Sequence, residues 1–598
     1  MNQTPPEYTT MPTTAAPVTV TFSWYDYTLF STMLAISVMI GIYFGCFGSK
    51  QSTASEYLMG GKKMHIFPIA MSLVASHISG ITLLGVPADV YKYGGAYWLC
   101  IPALIIVGIV SNLVYLPVLF EAQITSVYEY LEKRFDQRAR TFSSLLFALS
   151  QVLFLPIVIY IPALAFAAAT GFNLHLITPI ICGICIFYTT IGGLKAVVWT
   201  DTLQFTVTLG AVTVVLALGV RATGGFANVW SKSLEGKRLD FIDFDPDVTR
   251  SDNFWAPVIG LSIVWISMTN TSQSCVQKLL SVATLRDAKL VIIYYVMGMS
   301  LVKTASVITG LIIYARYSDC DPFASHRITR KDQLLPYYVL DVAGSVPGLS
   351  GLFIAGVFSA GLSTLSAHLN CMSGTIYEDF VSKRVPRTIT EQSKSKILKL
   401  IVVVCGVVCT ALVFVFEHLG GILQLSISFA GATGGPLLGM FTLGTLSRRA
   451  NCKGVFYGGV IGLIIVLSLA LPVKYLQSYG IIRDLEKPTS IEGCSFNFTT
   501  VHQRYETQTP RSDESLVIFK ISFYYYSLIG FFFTTVSGLI ISYCTERDEK
   551  SVDEALLSPI IRQRVSNHKN GGVTEYDTVE NALRLTIHNS EDKNDSKA

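Results

Sequence analysis

Apolar runs about 20 residues long recur along this chain between residues 24 and 544, and they limit its fold more than any other feature. A run of that length crosses the hydrocarbon core as a helix. Inside the bilayer no water is available to the backbone amides, so each segment must satisfy its own hydrogen bonds. The chain therefore reads as an all-α polytopic membrane protein. Its composition agrees, with 51% apolar and only 14% charged residues in 598. The runs predict about thirteen spans, near 25–47, 66–90, 96–120, 141–170, 174–191, 196–220, 254–274, 288–316, 349–375, 397–417, 422–446, 455–475 and 521–544. The Thr/Pro-rich head, 1–24, has no basic stretch before the first run, so that run reads as a span and not as a cleaved signal.

Lys and Arg in the short connections set the orientation. Lys50, Lys62, Lys63, Lys133, Arg134, Arg138, Arg140, Lys278, Arg286, Lys289, Lys383, Arg384, Arg387, Arg448, Arg449 and Lys453 all fall on one side, which should be cytoplasmic. The head is then extracellular, and 545–598 becomes a cytoplasmic tail that mixes both charge signs and reads as disordered. Long connections lie outside, among them one holding the glycosylation acceptor Asn497-Phe498-Thr499. Cys320 and Cys494 are both exterior, which leaves a disulfide between them open. Cys182 and Cys185 sit inside an apolar span without companion ligands and read as packing. A net charge of +4, spread between spans, gives no continuous basic face for nucleic acid.

Three stretches carry polar chemistry at membrane depth. Asp201 follows the apolar run of the sixth span, where a carboxylate marks an ion pathway or a buried pair. The second span has a glycine-interrupted polar centre from Ser72 through Ser76, His77, Ser79, Gly80 and Thr82. The seventh has Ser267, Thr269, Asn270, Thr271, Ser272 and Gln273 where lipid-facing carbon is expected. Unwound backbone at this depth must line a cavity or be buried in protein. Two such spans, five apart and entering from opposite sides, predict an inverted repeat over spans two to six and seven to eleven, about residues 66–446. The transport unit is then a monomer, because one repeat pair contains a whole pathway.

The segment Gly192-Gly193-Leu194-Lys195-Ala196-Val197-Val198-Trp199-Thr200-Asp201, followed by Gln204, resembles the signature of the sodium:solute symporter family, solute carrier family 5. Residues 75–87, 124–135, 273–277 and 351–380 match the same family in family order, and the resemblance spans about residues 20–545. The segment from Cys320-Asp321-Pro322 to Asp341 is similar to the branch that transports iodide, monocarboxylates and vitamins, and not to the sugar transporters. This resemblance implies a leucine-transporter-type 5+5 inverted repeat with Na+ as coupling ion. Carried over by position, it implies sodium ligands at Ala75, Ile78, Ala360, Ser363 and Thr364, with Asp201 on the exit path. Oxygen ligands suit this hard cation, and an unwound segment frees carbonyls that a continuous helix would use internally. Against this, the hydroxyls of Ser363 and Thr364 have an alternative as bonds back to their own helix.

Substrate contacts are expected between the two broken spans, at His77, Ser79, Thr82, Trp265, Ser267 and Thr269, with Leu423 and Ser426 on the repeat's last helix. An aromatic is usual in this branch at the position of His77, whose imidazole offers either a donor to an anion or a bond to a backbone carbonyl. Thr82 replaces a glutamine of the iodide transporters, and Phe154 replaces a tyrosine that serves a second sodium. Both argue against iodide and leave the second sodium open, although Ser79 is present. Ser272 stands where an asparagine is usual. The expected function is sodium-coupled import of a small organic anion, a monocarboxylate or a carboxylate vitamin such as biotin or pantothenate, across the plasma membrane. Alternatives are a sodium- and ligand-gated sensor, or a family transporter of iodide or another solute. No span or loop offers a nucleophile with a paired base or a metal cluster, so no enzyme is expected.

Overall fold

The computed structural model describes residues 23–47, 54–325, 327–328, 331–343, 346–386, 389–416, 422–478, 486–494, 517–545 and 552–562. Apart from a single bridge between Met64 and Val282, the regular structure among these residues is helical. Among the described residues nine helices are long and apolar enough to cross a membrane, and the pair Ile66–His77 with Ile81–Tyr93, bent by 59°, makes a tenth if it is one span. Ala256–Asn270 is a shorter apolar helix. Two expected spans, 174–191 and 196–220, fall on the single 49-residue helix Leu174–Ala222, which turns at Gly193 (φ 54°). Positive φ of this kind suits glycine and strains residues that carry a Cβ.

Both expected breaks are present. Ile66–His77 ends as Ile78 turns extended (φ −99°, ψ 98°), and Ser79 starts the next half by accepting from Ile81 N at 3.2 Å through its hydroxyl. Ala256–Asn270 ends at Thr271, Ser272 is extended, and Gln273–Leu279 continues the span. The freed backbone here is not left orphaned. Tyr128 donates its hydroxyl to the Thr271 carbonyl at 3.0 Å, while the Gln273 amide accepts from Val127 N at 2.7 Å and donates to the Thr125 carbonyl at 2.8 Å. Residues 124–135 thus act as a clip on the second break.

Between the broken spans runs Leu349–Ile376, the most enclosed helix. Its membrane window is 94% buried, because Ser359, Ala360, Gly361, Ser363 and Thr364 let neighbours approach closely. A Cβ on Gly361 would lie 2.7 Å from Cγ of Pro162, so glycine is required at that crossing.

On the side expected to be exterior, Cys320 and Cys494 are disulfide-bonded, 174 residues apart. The short segment 486–494 lies over the end of the first broken span, through Lys487 N to Lys92 O (2.8 Å) and Asp321 N to Ser490 O (2.9 Å). Arg238 fastens this cap by donating to the carbonyls of Tyr91, Gly236 and Pro488 and stacking on Tyr314, 3.8 Å from the ring centroid. Burial pulls its guanidinium pKa below the usual arginine range.

Two expectations need correction. Lys278 and Arg140 are not loop cations but buried ones, paired with Asp201 and Asp379. Each lies within a turn or so of a span end, where apolar run length locates the boundary poorly. The tail is also not wholly without structure. In 552–562, Tyr130 donates to the Leu556 carbonyl at 2.9 Å, Ser558 N donates to Thr445 O at 2.9 Å, and Arg562 pairs with Glu121 at 2.8 Å, with Leu557 fully buried. Its apolar pair Leu556-Leu557, short as it is, finds a buried seat that composition does not reveal. The head up to Thr21, the rest of the tail and Asn497 lie outside the described residues.

Candidate functional site

Ala75, Ile78, Ala360 and Ser363, together with Phe205, Thr208 and Ser359, line a tight cavity with no room for a water molecule. Four of the five expected sodium ligands are therefore brought together, two from the first break and two from the enclosed helix. Thr364 adjoins them, but its hydroxyl donates back to the Ala360 carbonyl at 3.0 Å. Ser363 differs from it. The Ser363 Oγ makes no hydrogen bond of ordinary geometry, although it lies beside the Asp201 carboxylate, and the Ser359 Oγ is likewise unpartnered. Buried hydroxyls without partners cost about 1–3 kcal/mol each, and a bound cation with a taste for oxygen would remove that cost. The residues present fit sodium.

Asp201 sits directly beside this cavity and is fully buried. Its carboxylate accepts from Ser72 at 2.6 Å, from Lys278 at 3.1 Å and from Ser76 at 3.4 Å, and Ser366 approaches at 3.5 Å. Lys278 Nζ also donates to the Ser72 carbonyl and to the Ser76 hydroxyl. One carboxylate thus links the first broken span, the second broken span and the enclosed helix. Sequence reasoning placed Asp201 correctly in a span and missed its cation, because Lys278 had been read as a loop residue.

The expected substrate residues divide into groups. Ser79 caps a helix. Ser267 joins the second broken span to Ile422–Leu446, donating to the Gly434 carbonyl at 2.8 Å and lying 3.1 Å from the Thr271 hydroxyl. Thr82 is buried in the turn after the first break. His77, by contrast, faces aromatic rings: its centroid lies 5.8 Å from Trp265 and 5.3 Å from Tyr295. Its Nδ1 sits 2.9 Å from the Leu73 carbonyl, so that nitrogen carries the proton and Nε2 is left for other partners. The Trp265 Nε1 and the Thr269 Oγ1 are buried without an ordinary hydrogen bond, the latter beside the Tyr295 hydroxyl. Leu423 and Ser426 lie on the helix Ile422–Leu446, with side chains outside those described.

Lys303 completes this aromatic group, and sequence reasoning passed over it. It is 1% exposed, midway along Leu285–Tyr317, with Nζ 2.7 Å from the Tyr97 hydroxyl and 4.7 Å from the Trp265 ring centroid. A lone lysine inside an apolar run was the available signal. A second cavity, about 20 Å³ and bordered by Cys182, Pro162, Phe358 and Leu365, is lined almost wholly by carbon.

The sequence model of the sodium:solute symporter family matches residues 57–462. This chain belongs to the sodium:solute symporter family. Sodium is therefore its coupling ion. The chain is 35% identical over 545 residues to sodium-coupled monocarboxylate transporter 2 of Mus musculus, covering 90% of this chain and 87% of that protein. It is 36% identical over 548 residues to sodium-coupled monocarboxylate transporter 1 of Homo sapiens, covering 89% of each. A putative sodium-dependent multivitamin transporter of Drosophila melanogaster is 33% identical over 531 residues, covering 88% of this chain and 87% of that one. In fold, the chain is similar to a Na+-coupled sialic acid symporter solved in a substrate-bound outward-open state (TM-score 0.72, 24% identity, 88% of this chain and 99% of that one). The fold is a leucine-transporter-type inverted repeat, and this symporter is a multi-pass membrane transporter, not an enzyme.

Proposed function

We propose that this sodium symporter imports a small organic anion, a monocarboxylate or a carboxylate vitamin such as biotin or pantothenate, across the plasma membrane by alternating access. The observation that carries the coupling is the cavity formed by Ala75, Ile78, Ala360 and Ser363 with its unpartnered hydroxyls. Sodium held there bridges the first break and the enclosed helix, so its binding favours the conformation in which those elements are together. Asp201 is the next oxygen group along and serves as coupling and exit residue. As sodium leaves, the carboxylate is either free to receive it or held by Lys278, and the two cations compete for one site.

The anion reading draws support from the names of the similar transporters and from the aromatic, donor-rich group at His77, Trp265 and Lys303. Thr82 and Phe154 weigh against iodide. The head lies outside, the chain from 545 onward inside, Asn497 carries glycan, and one monomer suffices for transport. Replacing external sodium by choline should abolish uptake of labelled butyrate or biotin, and Ser363→Ala should raise the half-saturating sodium concentration by about tenfold. Full uptake in choline would exclude the proposal, while a ligand-evoked current without accumulation would favour a gated sensor.

A further inference from the structure

This inference rests on the anion reading above and names the group that holds the anion's charge. Buried cations in the described bundle have evident partners. Lys278 has Asp201 at 3.1 Å, Arg140 has Asp379, and Arg238 has three carbonyls. Lys303 is the exception. Among the described residues no carboxylate lies within ion-pair distance of its Nζ, which makes one hydrogen bond, to the Tyr97 hydroxyl at 2.7 Å. Beyond that it meets the faces of Trp265, at 4.7 Å, and Tyr97, at 5.0 Å, with the neutral thiol of Cys100 and the imidazole of His77 nearby.

An ammonium carries three N–H donors, and burial at membrane depth costs several kcal/mol unless an acceptor or opposite charge offsets it. One hydroxyl and two ring faces leave that cost largely in place. The imbalance extends to the neighbour. The Trp265 indole N–H is itself buried with no hydrogen-bond partner, so two donors, one of them cationic, lie side by side with bonding capacity unused. The region is also where the two broken spans meet. Tyr97 opens the helical run Gly95–Glu121, Trp265 lies in the second broken span, and His77, beside Trp265, ends the first half of the other broken span.

We propose that Lys303 is the counter-charge for the substrate carboxylate, with the Trp265 N–H as a second donor and the rings of His77, Trp265 and Tyr295 receiving the apolar part. A compact ammonium suits a small carboxylate with one oxygen per donor, and aromatic walls suit an aliphatic or ring-bearing tail. A neutral amide of the same shape gains nothing from the charge and is rejected.

The experiment measures sodium-dependent uptake of labelled butyrate by the full chain in cells, with butyramide as uncharged competitor and surface protein quantified. In Lys303→Gln the KM for butyrate should rise roughly thirtyfold or more, the preference for butyrate over butyramide should collapse, and the half-saturating sodium concentration should stay unchanged. Lys303→Arg should restore part of the butyrate affinity, and Trp265→Phe, which keeps a ring and loses the N–H, should raise KM by about fivefold. A wild-type chain that takes up a neutral solute but no carboxylate overturns the anion reading and this assignment with it. Wild-type butyrate uptake with an unchanged KM in Lys303→Gln overturns the assignment alone. Should Lys303→Gln fail to reach the surface, an unchanged KM and an unchanged butyrate preference in both Lys303→Arg and Trp265→Phe overturn it equally.

Discussion

Two neighbouring hydroxyls on one helix differ in the hydrogen bonds the fold gives them. Thr364 bonds back to Ala360, whereas Ser363, one position earlier, finds no ordinary partner and faces the cavity. Thr364→Ala should therefore disturb sodium activation less than Ser363→Ala, by about fivefold in half-saturating sodium, read from uptake at graded sodium. The Asp201–Lys278 pair makes a different prediction. Removing one member leaves an uncompensated charge, so Lys278→Met should cost about 3–5 kcal/mol and lower the melting temperature of the detergent-purified protein. Adding Asp201→Asn to it should recover much of that stability without restoring coupled uptake. An unchanged melting temperature in Lys278→Met would refute the pairing.

At the scale of elements, the polar, glycine-interrupted centres of the two broken spans were legible because helix interruption is a local property. The position of the second break was less so. The polar stretch begins at Ser267, but Ser267 and Thr269 remain on the helix and the extended residue is Ser272. Hydroxyls that can bond within the helix do not break it, and only the clip from residues 124–135 marks where the backbone opens. Gln273→Ala removes both amide bonds to that clip and should destabilise the protein by about 1–3 kcal/mol, measured by thermal unfolding in detergent. Gly193→Ala, at φ 54°, should cost a similar amount, about 1–3 kcal/mol, by forcing a Cβ into a strained turn.

Across the whole molecule, coupling is limited by charge. At about −60 mV one sodium contributes roughly 1.4 kcal/mol from voltage, and a tenfold gradient adds roughly 1.4 kcal/mol. One sodium moving with one monovalent anion carries no net charge and concentrates it about tenfold, while two sodium ions recover the voltage term. Simultaneous current and uptake decide between them: no net charge per butyrate means one sodium per carboxylate, and one net positive charge means two. The disulfide-bonded cap yields a simpler check. Mobility on a non-reducing gel should change when Cys320→Ser or Cys494→Ser opens the bond between them.

By itself the sequence determined that this chain crosses a membrane as helices, that two of them break, and that it belongs to the sodium:solute symporter family. Run length, polar interruption and motif are all encoded over a few consecutive residues. Tertiary structure alone decided the partners of the buried charges. Asp201 meets Lys278 from 77 positions away, Arg140 meets Asp379 across 239, and Lys303 meets Tyr97 and Trp265 in place of a carboxylate. Any opposite charge at the right distance would satisfy a buried ion, and distance in space is a property that no local stretch of sequence carries.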